Sequence, residues 1–293
     1  MQASPRRTYM LMPGHEEKKA RKASGRDVDV VLLDMEDGVP PTHKQAARDG
    51  IVVSLAGIDF GPREVMARIN GVDTDLWQDD IAALAGTSVR GIFIPKVESA
   101  AQVAAVADAL ERAGLSGIAV VATIETARGL IHVEEIAAAG GGLTGLFFGS
   151  GDYSLSTGIE ISRETLLYPR SRIAVAAAAN GLQPIDAAFF RDVKDGEAAR
   201  RDAQDARVVG FTSKVAFHPN QLAPITEALM PSPEEVARAR KILDAYRSSL
   251  GSERGVFLVD GEFVAVDIAL MAERTLERAG ARWTPRTMTH AGQ

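Results

Sequence analysis

Short apolar runs recur along the chain at intervals close to the length of one strand and one helix. Eight of these runs are rich in β-branched and large apolar residues: TYMLMPG, VDVVLLDMED, EVMARIN, GIFIPKV, IAVVATIET, GLFFGSGD, LQPIDAA and VVGFTSK. Alanine-rich segments separate most of them, such as ESAAQVAAVADALERAG, in which Val103, Val106 and Leu110 fall on one helical face. Apolar strands that alternate with helices form parallel sheets covered by helices. Eight such units favour an α/β fold of the closed (β/α)8 TIM-barrel type.

Charged residues stand at or just beyond the C-terminal end of most of these runs. Successive positions are separated by 34, 28, 29, 27, 34 and 28 residues: Asp34, Arg68, Lys96, Glu125, Asp152, Asp186 and Lys214. One strand–helix unit takes about 30 residues, so these side chains are expected to converge on the rim where active sites of this fold form. The alternative at any single position is that a charge only marks where a strand leaves the core.

The composition limits the chemistry and the partners. The 293 residues include no cysteine, which excludes disulfides, thiolate metal ligands and a cysteine nucleophile. With 33 basic and 39 acidic residues the net charge is −6, so we expect neither nucleic acid nor a membrane surface as a partner. No apolar run reaches the roughly 20 residues that span a bilayer, and the first residues lack the apolar centre of a signal peptide. We therefore expect a cytoplasmic protein.

Two carboxylates end neighbouring strands. Glu125 follows the fifth apolar run and Asp152 follows the sixth, so both are expected at the same mouth of the barrel. Like charges at close range are costly unless a cation lies between them. Carboxylate oxygens without cysteine or paired histidine ligands suit Mg²⁺, with Mn²⁺ as the other choice. Salt bridges to basic rim residues without any metal are the alternative.

An ordered set of motifs resembles a known family. LLDMEDGV, RIN, IPKVES, IETARG, GSGDYS and GF-x-x-K followed by HPNQ are similar, in this order and spacing, to the citrate lyase β-subunit and malyl-CoA/citramalyl-CoA lyase group of the HpcH/HpaI aldolase superfamily. The resemblance runs from about Tyr9 to the last predicted helix. It implies a TIM barrel, assembled as a homotrimer or hexamer, that cleaves or forms a carbon–carbon bond next to a thioester with Mg²⁺.

The same resemblance implies roles for individual residues. Glu125 and Asp152 are the expected metal ligands, and Arg68 holds the carboxylate or keto oxygen of the substrate. An acidic group in LLDMEDGV orders metal-bound water: Asp34, Glu36 and Asp37. The partners are then an acyl-CoA, or a thioester on an acyl-carrier protein, and a small keto acid. The alternatives are a pyruvate or oxaloacetate aldolase acting on free acids and a carrier-dependent or non-catalytic lyase subunit.

A thioester carrier calls for basic residues near the barrel mouth. Glycine in GSGDYS and basic residues after the first run and in IPKVES are the candidate substrate and CoA contacts: Gly151, Lys18, Lys22 and Lys96. In the stretch PGHEEKKARKASGR, however, Glu16 and Glu17 precede Lys19 and Arg21 at helix-pair spacing. A solvated helix face is therefore an equal alternative for this stretch.

The pattern changes beyond residue 230. MPSPEEVARARKILDAYRSSLG predicts a helix with Ser232 as its N-cap, and GVFLVDGEFVAV predicts a hairpin that turns at 260–261, before a last helix from about Asp267 to Arg278. We expect a catalytic barrel over residues 1–230 and a helix–hairpin–helix extension over residues 231–293 that is too small to hold its own core. In the resembling family this extension reaches over the active site of a neighbouring subunit.

The predicted hairpin departs from the resembling family at one position. Relatives commonly carry G-x-x-V-D-x-P there, with the Asp assigned acid–base work, whereas GEFVAVDIA places Ala265 at that position. If residues 264–267 are extended, Asp267 shares a face with Ala265 and is a candidate displaced acid or base. The alternative is that Asp267 caps the last helix.

Overall fold

Eight parallel strands close into a barrel in the order of the sequence. The computed structural model describes residues 6–187, 191–249 and 257–280. The barrel strands are β1 Thr8–Pro13, β2 Val30–Asp34, β3 Glu64–Arg68, β4 Gly91–Ile94, β5 Ala119–Ile124, β6 Leu143–Phe148, β7 Gln183–Ala187 and β8 Ser213–Ala216. Strand β1 pairs with both β2 and β8, which closes the ring. The predicted (β/α)8 barrel is confirmed.

Helices cover the outside of the ring. They are α1 Glu17–Ala23, α2 Lys44–Gly57, α3 Trp77–Leu84, α4 Ala100–Arg112, α5 Ala127–Ile131, α6 Val133–Ala137, α7 Ser150–Thr157, α8 Arg163–Ala179, α9 Gly196–Val208 and α10 Leu222–Leu229, with short 3₁₀ turns at Pro41–His43 and Pro219–Gln221. Across the described parts of the chain, no helix is both long and apolar enough to cross a membrane.

The barrel strands are apolar on both faces, and alternate residues face opposite sides. One cluster fills the barrel interior: Tyr9, Val30, Leu32, Met66, Phe93, Ala119, Val121, Phe147, Ile185, Ala187 and Val215. The intervening strand residues belong to a larger cluster beneath the helices. Whether a polar residue near a strand end faces the barrel mouth or the helices therefore depends on its place in this alternation.

Asp186 and Lys214 face the helices and not the barrel mouth, so their predicted place on the rim was wrong. Both alternate with interior residues of β7 and β8. The Nζ of Lys214 lies 2.5 Å from Asp186 Oδ2 and 2.6 Å from Asp202 Oδ2. Arg170 Nη2 donates to the same two carboxylates at 2.8 and 2.7 Å. These contacts tie β7 and β8 to α8 and α9.

Residues from 230 onward belong to a second unit, separate from the unit formed by residues 6–229. Its elements are α11 Pro233–Ser249, β9 Phe257–Val259, β10 Glu262–Val264 and α12 Val266–Arg278. The predicted cap of α11 is present, since Ser232 Oγ accepts from Glu235 N at 3.2 Å. Asp260 and Gly261 form the predicted hairpin turn, with φ values of 51° and 84°. Residues 281–293 of the predicted extension lie outside the described residues.

This second unit has a core of its own, contrary to expectation. Buried apolar residues from both helices and both hairpin strands form it: Ala239, Ile242, Leu243, Val259, Val264, Ala269, Ala272 and Leu276. The expectation was wrong because the long helices α11 and α12 pack on each other and cover the inner face of the hairpin.

Helix α12 begins one residue earlier than predicted. Ala265 is its N-cap residue, and no side chain caps this end. Asp267 therefore lies in the first helical turn, where a carboxylate interacts favourably with the helix dipole, and it is not the N-cap. Nor do residues 264–267 continue as a strand, so the extended arrangement that would align Asp267 with Ala265 does not form.

The buried network around Lys214 gives a stability prediction. In Lys214→Met, Asp186 and Asp202 keep only Arg170 as a cationic partner, and one buried charge is left poorly compensated. We expect the free energy of unfolding to fall by about 3 kcal/mol, measured by urea titration. Lys19→Met, which removes an exposed pair with Glu16, is the control and should cost less than about 1 kcal/mol. Equal losses in the two variants would show that burial of the network contributes nothing.

Candidate active site at the barrel mouth

A cavity of about 300 Å³ lies at the C-terminal ends of the barrel strands. Charged, glycine and apolar residues line it: Leu11, Asp37, Arg68, Glu125, Phe147, Gly149, Ser150, Gly151, Asp152, Ala187 and Phe217. The predicted metal ligands and the predicted substrate arginine therefore share one cavity. Gly151 also lies here, in the first turn of α7, as its motif predicted.

A buried ion pair joins the ends of β2 and β3. Arg68 donates from Nε to Asp34 Oδ1 at 2.7 Å and from Nη2 to Asp34 Oδ2 at 2.6 Å. Its third nitrogen, Nη1, lies 3.1 Å from Glu36 Oε2. Burial alone would lower the pKa of Arg68, but the carboxylates of Asp34 and Glu36 outweigh burial and raise that pKa. The guanidinium is therefore a fixed, permanently charged group in the wall of the cavity.

The loop after β2 wraps around Asp34. Asp34 Oδ1 accepts from the backbone N–H of Glu36, and Oδ2 accepts from that of Gly38, both at 2.9 Å. A Cβ on Gly38 would lie 2.4 Å from Asp34 Oδ2, so only glycine permits this approach. The result is that Glu36 and Asp37 are presented at the barrel mouth.

Lys96 connects this loop with the end of β5. Its backbone adopts φ = 51°, which is uncommon outside glycine. In this conformation its N–H donates to Glu125 Oε1 at 2.8 Å, while its Nζ lies 2.7 Å from Glu36 Oε1 and 2.9 Å from Asp37 Oδ2. The ammonium group that was predicted to contact substrate is thus placed between two carboxylates, where it holds the loop after β2.

Glu125 is buried beside other negative charges. It follows β5, its side chain faces the cavity, and Asp152 lies in the first turn of α7. Burial raises the pKa of Glu125 to about 8, and the charges of Asp152 and Glu36 act in the same direction. Arg68 and the Lys96 N–H oppose these effects without cancelling them. The negative charges around Glu125 therefore favour the binding of a cation in this cavity.

The donor set fits a hard divalent cation. Within residues 6–187, 191–249 and 257–280, no cluster of three or more His, Cys, Asp and Glu side chains could hold a metal ion. Glu125 and Asp152 supply two carboxylates, so a cation bound to them would take its other ligands from water and substrate. This is the usual arrangement for Mg²⁺ in sites that act on anionic substrates.

A second cavity of about 310 Å³ adjoins the first and shares Leu11 and Phe217 with it. Three basic side chains line it: Lys19, Lys22 and Arg26. Lys22 is thus where the sequence placed it, whereas Lys18 is exposed on α1 and is not among the described lining residues.

The basic stretch also forms a solvated helix face. Lys19 Nζ lies 2.7 Å from Glu16 Oε1, and Arg21 Nη2 lies 2.6 Å from Glu17 Oε1. The solvated helix face is therefore present, and Lys19 also lines the second cavity, so contact of this stretch with a thioester carrier stays a prediction.

Two residues of the site were missed by the sequence analysis. Lys44 Nζ donates to the backbone oxygens of Met35 and Glu36, both at 2.8 Å, and nothing in its local sequence indicates this contact. Gly149 lies against Glu125, and a Cβ there would be 2.3 Å from Glu125 Oε2. Gly149 is the first residue of the GSGDYS motif, but only the folded barrel shows which side chain lies against it.

Comparison with known proteins agrees with this geometry. The sequence profile of the HpcH/HpaI aldolase/citrate lyase family matches residues 7–219, from the residue before β1 to the turn after β8. The chain belongs to the HpcH/HpaI aldolase/citrate lyase family. The resemblance drawn from the motifs is confirmed.

Individual members of the family match over nearly the whole chain. Mitochondrial citramalyl-CoA lyase from Homo sapiens is 34% identical over 292 residues, covering 94% of this chain and 86% of that protein. A (3S)-malyl-CoA thioesterase from Cereibacter sphaeroides is 35% identical over 282 residues, with 96% of each chain covered. The crystal structure of CitE from Mycobacterium tuberculosis in complex with magnesium, acetoacetate and coenzyme A superposes with a TM-score of 0.79 and 35% identity, covering 95% of this chain and 99% of that one.

The contact between Gly149 and Glu125 can be tested directly. In Gly149→Ala the new methyl group must displace the Glu125 carboxylate, because the two would otherwise overlap. We expect at least about 10-fold weaker binding of Mg²⁺, measured by isothermal titration calorimetry. Gly57→Ala is the matched control, since a Cβ there meets nothing within 4 Å. Unchanged Mg²⁺ affinity in Gly149→Ala would remove Glu125 from the metal site.

Proposed function

We propose that this family member is a Mg²⁺-dependent carbon–carbon lyase that cleaves or forms a 3-hydroxyacyl thioester by retro-Claisen and Claisen chemistry. The observation that carries the proposal is the single cavity in which Glu125, Asp152 and Arg68 meet and which adjoins a second cavity with basic walls. A relative named citramalyl-CoA lyase and a CitE complex with magnesium and coenzyme A support it.

Glu125 and Asp152 are the residues that would hold the metal ion. When bound, Mg²⁺ supplies a Lewis acid for the hydroxyl and carboxylate oxygens of the substrate. Gly149 and the Lys96 N–H fix the position of the Glu125 carboxylate, and the N-terminal turn of α7 carries Asp152. Asp37 lines the same cavity, where its carboxylate would order water bound to the metal ion.

Arg68 binds the carboxylate of the keto-acid half of the substrate. It donates two hydrogen bonds to Asp34 and forms an ion pair with Glu36 through Nη1, and its remaining N–H groups can donate to a ligand. Because those contacts already fix the guanidinium plane, little side-chain entropy is lost on binding. A lysine has no planar fork with which to satisfy Asp34 and a substrate carboxylate together.

The second cavity accepts the thioester carrier. Lys19, Lys22 and Arg26 provide positive charge for the phosphates of coenzyme A, and the shared residues Leu11 and Phe217 provide an apolar wall for the pantetheine arm. A free-acid aldolase would have no use for this basic cavity, which is why we favour an acyl-CoA. An acyl-carrier protein would present the same arm.

The second unit is proposed to dock on a neighbouring subunit of a homotrimer or hexamer. Its hairpin exposes two apolar side chains that face each other across the strands, Leu258 at 71% and Phe263 at 66%. On α12, Val266 and Leu270 are one helical turn apart and are exposed at 53% and 54%. Apolar side chains grouped on one small unit are typical of a surface that another protein covers.

The lyase activity is tested by incubating the purified protein with Mg²⁺ and malyl-, citramalyl- or citryl-CoA and following the acyl-CoA and keto acid released. We expect EDTA, Glu125→Ala and Asp152→Ala each to abolish cleavage. Arg68→Lys should lose about 100-fold in kcat/KM, because an ammonium group cannot hold Asp34 and the substrate carboxylate in the fixed geometry that the guanidinium provides. Arg172→Lys, which alters an exposed pair with Glu134, is the control and should be unaffected. Cleavage of free hydroxy acids but of no thioester would favour the aldolase alternative.

The alanine at position 265 gives a second prediction for the proposed enzyme. A methyl group cannot transfer protons, so proton exchange at the methyl group of acetyl-CoA should be slow in this protein. Restoring a carboxylate with Ala265→Asp should raise exchange at least about 10-fold, measured by deuterium incorporation. Asp267→Asn should change exchange less than about two-fold, because Asp267 lies in the first turn of α12. A large loss of exchange in a folded Asp267→Asn protein would instead identify Asp267 as the displaced acid or base.

A further inference from the structure

The cavity at the barrel mouth has an ionic side and an apolar side. The ionic side is formed by four charged residues at or just beyond the ends of β2, β3, β5 and β6: Asp37, Arg68, Glu125 and Asp152. The apolar side comes from the adjacent strands β6, β7, β8 and β1: Phe147, Ala187, Phe217 and Leu11. A substrate in this cavity therefore presents its charged end to one arc of the barrel and its remaining atoms to the other.

The ionic side has one cation for the substrate. Among the described lining residues Arg68 is the sole basic side chain, while Asp37, Glu125 and Asp152 are acidic. Lys96 is not among these lining residues, and its ammonium group already contacts Glu36 and Asp37. One substrate carboxylate can thus be held by Arg68 and a metal ion, but a second carboxylate on the apolar side would lose its hydration without a positive partner.

Two residues of the apolar side are left to contact the reacting carbons. Leu11 and Phe217 line both cavities, so they lie between the first cavity and the basic residues of the second. Phe147 and Ala187 line the first cavity alone. Phe147 is held by edge-to-face packing on Phe93, with ring centroids 5.7 Å apart and an interplanar angle of 67°. A rigid aromatic wall beside the small side chain of Ala187 leaves space for a small alkyl group.

We propose that the substrate is a 3-hydroxyacyl thioester with a single free carboxylate and a small alkyl substituent at the reacting carbons, and that Ala187 and Phe147 set the size of that substituent. The proposal rests on the lyase function and adds a substrate preference to it. A methyl-bearing, citramalyl-type thioester is favoured over a citryl-type thioester, which carries a second carboxylate.

The first experiment compares kcat/KM for cleavage of citramalyl-CoA and citryl-CoA by the wild-type protein with Mg²⁺. We expect at least about 100-fold preference for citramalyl-CoA, because an unpaired carboxylate is costly to desolvate. Equal or preferred cleavage of citryl-CoA overturns the inference while leaving the lyase function intact. No turnover of either compound, or of malyl-CoA, overturns the lyase function and this inference with it.

The second experiment measures substrate ratios in variants of the apolar side. Ala187→Val narrows the space, so kcat/KM for citramalyl-CoA relative to malyl-CoA, which lacks the methyl group, should fall about 10-fold. Phe147→Leu widens the space, so kcat/KM for the homologue of citramalyl-CoA with ethyl in place of methyl should rise relative to kcat/KM for citramalyl-CoA. Ile185→Val is the control, because Ile185 lies on the same strand and faces the interior but is not among the described lining residues.

A purely structural role for these residues predicts a different result. Damage to the fold lowers kcat/KM for all thioesters together and leaves their ratios unchanged. A ratio in Ala187→Val that matches the wild-type ratio, in a protein with normal melting temperature, overturns the assignment of Ala187 as the size-determining residue.

Discussion

The buried ion pair between Arg68 and Asp34 is the contact on which the rest of the barrel mouth depends. The two residues are register partners on adjacent strands, so the pair is fixed by the sheet itself. From Arg68 the contacts continue to Glu36, from Glu36 to Lys96, and from Lys96 to Glu125. Buried charges are tolerated only when they are paired and hydrogen-bonded. Each charged residue in this series is therefore stabilised by its contact with the next one.

Carboxylates outnumber the cations at this mouth, and this imbalance gives the site its chemical character. Arg68 and Lys96 are each shared by two carboxylates, while Asp152 adds a further negative charge beside Glu125. Burial raises the pKa of Glu125, and the neighbouring charges of Asp152 and Glu36 raise that pKa further. Like charges grouped at the barrel mouth are costly to the folded state unless a cation lies between them.

The architecture and the place of Glu125 and Asp152 at the barrel mouth were predicted from the sequence, because both depend on local pattern. Apolar runs about 30 residues apart specify strand–helix units, and the ends of such runs lie near one rim. The error over Asp186 and Lys214 has a physical cause. In barrel strands both faces are buried, one by the interior and one by helices, so the sequence shows no polar alternation that would reveal which way a terminal charge points. The direction of such a side chain is known only once the closed barrel is seen.

Other features could not be predicted because they arise from contacts between distant segments. The approach of Gly149 to Glu125 and the reach of Lys44 to the loop after β2 have no local sequence signal. The start of α12 was misplaced by one residue. Strand β10 ends at Val264, and the helix follows at once with Ala265 as its N-cap.

The left-handed backbone of Lys96 has a consequence for how this position can vary. Its backbone N–H donates to Glu125, and its ammonium group contacts Glu36 and Asp37. Both the backbone conformation and the side-chain charge at this position are therefore constrained. Glycine would adopt this backbone without strain but would leave two carboxylates without their cation, and an uncharged side chain would keep the strain and lose the charge. Arginine would retain the charge in a longer, planar group. The position therefore has almost no neutral substitutions, although more than a third of its side chain is open to solvent.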